Sequence, residues 1–433
     1  MATTYLSRTP ASAGSQTTWT FSAWVKKSPP TAGITQIIAQ ETGDYSSSGI
    51  LTQIRFNSDK IMVANFTAGN YRDGGLTTQV FRDISGWYHI VVNFNSTDAT
   101  LSNRIKVYVN GEEVAFNFDL GDTAQNALSA FNTTDQAMAI GATLHTGTAA
   151  GYFDGSMAHV HFIDGTAYDA SAFGETDATT GIWKPKGFNG SYGTNGFFLK
   201  FENSGAMGTD SSGNSNNFTV NGTMTQTIDT PSNVFATWNP FDRKATGTPS
   251  FANGNLYFSH SENSQVQTRS TLAFSKGKYY AEFKITSGDS YTAFGIAEYD
   301  TGNNVIADSN DGALLGGSGY LSGGAIANGD IIGIAIDADN QTCKWYINNS
   351  LEATYDYSAK TGLKDSTSLC FGVFSTTSSG TNYTQANFGN GYFGTSAISS
   401  PSSDDNGNGL FTYAPPTGYL ALCTKSINAQ EYS

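Results

Sequence analysis

The chain has 433 residues, 38% of them hydrophobic and only 13% charged, and 36 acidic against 22 basic residues give a formal charge of −14. No lysine or arginine run offsets that acidity, which excludes a nucleic-acid partner. No apolar run reaches the roughly 18 residues that span a bilayer, so no membrane insertion is expected. Gly (48), Tyr (22) and Phe (28) are abundant, and no window sustains the i, i+3, i+4, i+7 spacing of an amphipathic helix. The mixture points to many short aromatic strands joined by Gly/Asn turns, an all-β fold.

The first residues, MATTYLSRTPASAG, lack the basic and then apolar pattern of a secretory signal. Residues 19–25, WTFSAWV, alternate: Trp19, Phe21, Ala23 and Val25 on one face, Thr20, Ser22 and Trp24 on the other. Residues 86–94, GWYHIVVNF, are apolar on both faces, the pattern of a central strand between two layers. In NRIKVYVNGEEV (103–114), Ile105, Val107 and Val109 oppose Arg104, Lys106 and Tyr108, and Asn110-Gly111 supplies a tight hairpin turn. The signal Asp154-Gly155 precedes MAHVHFI (157–163). Simple alternation there turns Ala158, Val160 and Phe162 to the core, and Met157, His159 and His161 to the opposite face. Two imidazoles on one face could hold zinc with a third ligand. Only His145 offers itself, across the sheet, and a polar outer face is the preferred reading.

Taken in order, TFSAWVK, GWYHIVVNF, KVYVNGEEV, IGATLHTG and YFDGSMAHVHFIDGTAY resemble the laminin-G/pentraxin branch of the concanavalin A-like sandwiches. The resemblance covers roughly residues 1–170 and implies two antiparallel sheets packed face to face. The following AYDASAFGETDATTGIWKPKGFNGSYGTNGFFLKFENS and DSSGNSNNFTVNG, with the N-terminal YLSRTP, resemble laminin-G-like virion proteins of marine tailed bacteriophages. By residue pattern alone, GFFLKFEN (196–203) and NFTVNG (217–222) are two short strands that extend the sandwich or form a bridging hairpin.

A linker-like TPSNVFATWNPFDRKATGTPS (230–250) precedes a second alternating series. It comprises GKYYAEFKI (277–285), TAFGIAE (292–298), GDIIGIAID (329–337), CKWYINNS (343–350), LCFGVFS (369–375) and ANFGNGYF (386–393). Tyr279, Ala281, Phe283 and Ile285 share one face. The succession resembles the SPRY family over about residues 250–395, with Asn349 where that family usually has Gly; Asn also tolerates positive φ. The resemblance implies a second bent sandwich that binds through loops at one end. The whole reads as two antiparallel jelly-roll β-sandwich domains in tandem: 1–190 laminin-G-like, 191–249 a strand-bearing connecting segment, 250–395 SPRY-like, and 396–433 a docking tail. Cys343, Cys370 and Cys423 are too scattered for a disulfide framework or zinc knuckle and read as buried free thiols, the state expected after folding in a reducing cytoplasm.

Chemistry is sparse. A retaining glycosidase needs two carboxylates roughly 5 Å apart, commonly at i, i+4 on one strand of these sandwiches. Glu41/Asp44 has the wrong spacing, Glu112/Glu113 diverge after a turn, and Glu298/Asp300 lacks a second glutamate. No G-x-S-x-G elbow accompanies the five histidines, though a Ser/His/Asp triad stays open. GGSG (316–319) is a loop and not a phosphate cradle. DSNDG (308–312), DADN (337–340) and SSDDNGNG (402–409) offer oxygen ligands, but Asx turns account for them better. No cofactor is expected, with calcium the one metal left open by the resemblance. Tyr45, Tyr71, Tyr291 and Tyr320, in Gly/Ser-rich stretches, are the candidate ligand-binding residues.

The functional expectation is a non-enzymatic phage virion protein: a capsid decoration, fibre or tail-associated subunit. Its sandwiches would bind a host-surface glycan or protein, with other virion proteins and further copies of itself as partners. A purely structural cement protein is the alternative, and a carbohydrate-active enzyme ranks third.

Overall fold

The computed structural model describes residues 3–28, 34–245, 249–260, 265–287, 292–299, 312–315, 326–359, 363, 368–376 and 382–431. They form two compact units, Met1–Gln226 and Thr227–Ser433. Among the described residues, apart from a short helix, Thr424–Glu431, a helical residue at Leu363, and two turns of 3-10 helix at Leu101–Asn103 and Ala170–Ala172, the regular structure is strand. The fold is all-β and of jelly-roll type.

In the first unit an eight-stranded sheet faces a six-stranded one. The larger runs Phe116–Asn117, Asn70–Thr77, Lys60–Thr67, Ile50–Asn57, Ile34–Thr42, Met138–Ile140, Tyr5–Arg8, Thr219–Asn221. The smaller runs Phe197–Leu199, Gly155–Asp164, Thr18–Lys27, Tyr88–Asn95, Ile105–Val109, Glu112–Val114. All of these pairings are antiparallel. Trp19, Phe21, Ala23 and Val25 enter the core with Ile90, Val92, Ile105 and Val107, and meet Ile38, Ile54, Phe56 and Val63 from the other sheet. Trp19 stacks on Phe94 at 4.9 Å and meets Phe131 edge-on at the same distance; such pairs add about 1 kcal/mol beyond their area. Asn110 (φ 49°) and Gly111 (φ 91°) make the expected hairpin turn.

Alternation fails in one strand. Between Ala158 and His161 the register with Thr18–Lys27 slips by one residue, because Trp24 faces Ala158 while Ser22 faces His161. His159 takes up the extra residue at φ 48°. This β-bulge inverts the expected facing of the residues before it. Met157, opposite Val25, packs against the core, whereas Ala158 lies opposite Trp24 on the outer face. Val160, Phe162 and His161 face as expected.

Residues 191–226, read as part of a connecting segment, belong to the first unit. Phe197–Leu199 pairs with Gly155–Asp164 and Thr219–Asn221 pairs with Tyr5–Arg8, so the two short strands extend different sheets instead of forming a hairpin. The carboxylate of Asp210 organises the loop between them, accepting the backbone N–H groups of Phe198, Ser212 and Asn216.

In the second unit a five-stranded sheet (Trp238–Ala245, Gln265–Ser270, Leu369–Thr376, Thr292–Glu298, Gly312–Leu315) faces a larger one built around Lys278–Ser287, Ile331–Asp337 and Thr342–Ile347. Tyr279, Ala281, Phe283 and Ile285 share the core with Trp238, Phe294, Ile334 and Trp345. The linker reading of 230–250 is corrected here, since Phe235, Ala236 and Trp238 are buried and Trp238–Ala245 is a strand. Pro240 is tolerated because that strand's register breaks between Trp238 and Arg243. Asn348 (φ 48°) and Asn349 (φ 73°) form the hairpin turn without a glycine. In the tail, Leu420–Ala421 pairs in parallel with Tyr279 and Tyr280. Cys343, Cys370 and Cys423 are buried and free, and burial raises the pKa of each thiol.

Candidate functional site

The outer face of the six-stranded sheet is covered by a third layer folded from residues 165–192. Val91, Ile163, Ala170 and Phe173 form its buried centre, with Tyr168, Trp183, Phe188 and Tyr192 packed around them. This explains why Thr20, Ser22 and Trp24, which alternate away from the core, are nevertheless buried. Asp169 caps the 3-10 turn Ala170–Ala172 by accepting the Ser171 N–H, and Gly174–Thr176 pairs with Trp183–Pro185.

Trp183 fastens that hairpin to the sheet. A Cβ built on Gly111 or Gly174 would lie 2.6 or 2.4 Å from its ring, so only glycine admits the indole there. Its Nε1–H donates to His89 Nδ1 at 2.9 Å, and His89 Nε2 lies 2.9 Å from Ser22 Oγ. Since Nδ1 accepts, the neutral ring carries its proton on Nε2 and donates it to Ser22. His89 therefore cannot take the hydroxyl proton of Ser22. The pair holds layers together, with an indole where a nucleophilic triad would place a carboxylate. Burial, with a smaller contribution from His159, lowers the His89 pKa to about 3.

Beside this anchor opens a cleft of about 550 Å³, lined by His159, His161, Phe188, Tyr192, Phe198 and, at its rim, Lys186, Lys200, Glu202, Ser211 and Ser212 among others. His161 lies flat against Phe198 (3.9 Å between centroids, 12° between planes), and its Nδ1 is hydrogen-bonded to Tyr192 Oη at 2.9 Å. Phe188 is backed by Phe173 at 5.0 Å, stacked. The bulge swings the His159 ring toward Phe198 (5.7 Å, edge-on), and Lys200 Nζ sits 5.6 Å from the Phe198 centroid. Phe201, just after Lys200, also lies in the left-handed region, at φ 60°. Burial lowers the pKa of both histidines: His161 is strongly affected, and Lys200 adds to the effect on His159. Both are neutral at pH 7, leaving the lysines as the cations of the cleft.

The pair that alternation treated as a polar outer face thus lies in a recess. His145, the one offered third zinc ligand, is elsewhere: its Nδ1 is 3.1 Å from Glu41 Oε1 and its Nε2 3.9 Å from Asp44 Oδ1. Among the described residues, Glu41, Asp44 and His145 are the one trio of ligating side chains close enough to share an ion. Glu41 also accepts the Tyr45 N–H, and Asp44 the Ser46 N–H.

Of the tyrosines singled out, Tyr45 and Tyr71 both pack against Phe66, with ring centroids at 6.5 and 4.3 Å. Tyr45 also packs edge-on against His145, and the Tyr71 hydroxyl accepts from Arg55. Tyr291 and Tyr320 lie outside the described residues, as does DSNDG (308–312). In DADN, Asp337 accepts from Asn340 N–H and Nδ2–H; in SSDDNGNG, Asp404 accepts from Gly409 and Ala421. Sequence reasoning missed Phe188, Tyr192 and Phe198. The test applied to the tyrosines, an aromatic in a Gly/Asn-rich stretch, also selects GFNGSYGTNGFF (187–198); reading that stretch only for strands and turns concealed it.

Residues 2–172 match the model of the concanavalin A-like lectin/glucanases superfamily, laminin-G type. The matched residues lie within the first unit and include most strands of its sandwich. Three solved structures resemble parts of the chain. The SPRY domain of human HERC1 is 15% identical, with 34% of this chain and 96% of that one covered and a TM-score of 0.28. The TRIM65 PSpry domain is 14% identical, covering 35% and 88%, with a TM-score of 0.26. A heptameric SAP-like pentraxin from Limulus polyphemus is 16% identical, covering 38% and 71%, with a TM-score of 0.28. Likeness at this level says nothing of ligand or activity. No curated protein matches the chain.

Proposed function

We propose that this chain is a non-catalytic saccharide-binding protein whose ligand lies in the cleft between the outer face of the six-stranded sheet and its third layer. One observation carries the reading: a recess of about 550 Å³ whose floor is the Phe198–His161 stack and whose rim is hydroxyl, amide and ammonium groups. A pyranose ring presents one face of C–H bonds and an edge of hydroxyls, and flat rings beside polar rim groups complement both. The lectin-type match of residues 2–172 is consistent with it. Glu202 is the one carboxylate lining the cleft, whereas glycoside hydrolysis needs two flanking the scissile bond.

The proposed setting is the exterior of a tailed-phage particle, where such a module would grip host-surface glycan; its support is the resemblance of residues 167–204 and 210–222, with YLSRTP (5–10). Glycan-array screening of the full chain, followed by calorimetry, tests the binding reading. Phe188→Ala is expected to weaken a hit by tenfold or more, while Tyr45→Ala/Tyr71→Ala leaves it unchanged. Binding lost in the tyrosine pair and kept in Phe188→Ala would move the site to the Phe66 patch. Mass spectrometry of purified particles tests the setting, which fails if the chain is absent from them.

A further inference from the structure

We infer that the cleft selects an acidic saccharide, one bearing a carboxylate or sulfate, with Lys186 and Lys200 as the groups that receive the anion; this rests on the saccharide reading above. The chain carries 36 acidic against 22 basic residues, yet this recess is lined by two lysines and one acid. That local reversal of sign places attraction for an anion where the aromatic floor would hold a ring. Lys186 Nζ donates to the Ser171 carbonyl at 3.1 Å, which steadies its ammonium and leaves two of its three N–H donors uncommitted. Lys200 stands over Phe198, and its ion pair with Glu202 is long, 3.7 Å, with the Glu202 side chain 74% exposed. Exposed pairs of this sort contribute little, so a ligand anion can take the place of Glu202 at small cost. Glu202 then acts as a stand-in acid at the mouth of the site, and removing it should improve binding.

The probes are a tetragalacturonate, its carboxyl-reduced neutral counterpart and a sulfated galactan tetrasaccharide, titrated into the full chain by calorimetry. An acidic probe is expected to bind at least tenfold tighter than the neutral one and to weaken as salt rises. Preference between the first and third identifies carboxylate or sulfate as the anion, and either supports the inference. Lys186→Gln and Lys200→Gln should each cost about fivefold with the acidic probe and nothing with the neutral one, while Glu202→Gln should gain about threefold. A merely structural role for these exposed side chains predicts no gain in Glu202→Gln. Equal affinity for acidic and neutral probes, with lysine variants unchanged, would overturn the inference and leave the saccharide reading standing. Failure of Phe188→Ala to affect any saccharide would instead remove that reading.

Discussion

His89 gives the sharpest test of how the third layer is fastened. Its ring is buried, accepts the Trp183 indole N–H and donates to Ser22, and its folded-state pKa lies at about 3 against 6.5 for a free imidazole. A pKa lowered on folding means that the unfolded chain binds the extra proton first as pH falls. The contribution is therefore fully present above pH 6.5 and is lost progressively toward pH 3. At roughly 1.4 kcal/mol per pH unit the full loss is about 5 kcal/mol, and the part reached by pH 5 is about 2 kcal/mol. Urea titrations of the full chain at pH 7 and pH 5, read by pulsed hydrogen exchange in peptides from Tyr88–Asn95, measure it within the first unit. His89→Gln, whose amide can accept from Trp183 and donate to Ser22, should be less stable at pH 7 but lose about 2 kcal/mol less than the wild type on going to pH 5. Equal pH dependence in the two proteins, or an imidazole resonance of His89 that titrates near 6.5, would refute the reasoning.

Three further outcomes are expected. Gly174→Ala drives a methyl into the Trp183 ring and should cost about 1–3 kcal/mol, seen as a lower unfolding midpoint and faster exchange in residues 174–185. Glu282→Gln replaces one oxygen of a buried carboxylate that accepts from Thr412 and Tyr413 N–H at 2.7 and 2.8 Å, so an amide N–H meets a backbone N–H. A loss of about 2–3 kcal/mol follows in the second unit, with earlier proteolysis of the tail as the readout. Cys343, Cys370 and Cys423, buried and with raised thiol pKa values, should resist a thiol reagent in the native chain at pH 8 and react in urea.

Much of the fold was legible because period-two alternation is a physical necessity for a strand with one face in a core. WTFSAWV, NRIKVYV and GKYYAEFKI each place the expected side chains inside. GWYHIVVNF also announced a second buried face, since Val91 belongs to the outer apolar centre while Ile90 and Val92 belong to the core. The bulge at His159 was not legible: neither histidine nor its neighbours carries the Gly signature of a left-handed residue, and the register slip depends on the partner strand. Residues 165–192 hid for a related reason. Their strands are three residues long, too short to show a period, and they are held by Trp183 against Gly174 of the same layer and against the distant Gly111 and His89. Trp238–Ala245 was obscured by Pro240 and by its own irregular register.

The position of Tyr5–Arg8 bears on how the first unit is made. That strand is bordered by Met138–Ile140 on one side and Thr219–Asn221 on the other, and Gly155–Asp164 is bordered by Phe197–Leu199. On the ribosome, Tyr5–Arg8 emerges well before Thr219–Asn221 and waits through some two hundred residues for that neighbour. A fragment cut at residue 172, where the family match ends, would lose Phe197, Leu199 and Phe218 from the hydrophobic interior and leave a raw margin on each sheet, with unpaired N–H and C=O groups ready to join another chain. The matched stretch and the compact first unit thus differ in length, and the two short strands that border both sheets lie in the difference.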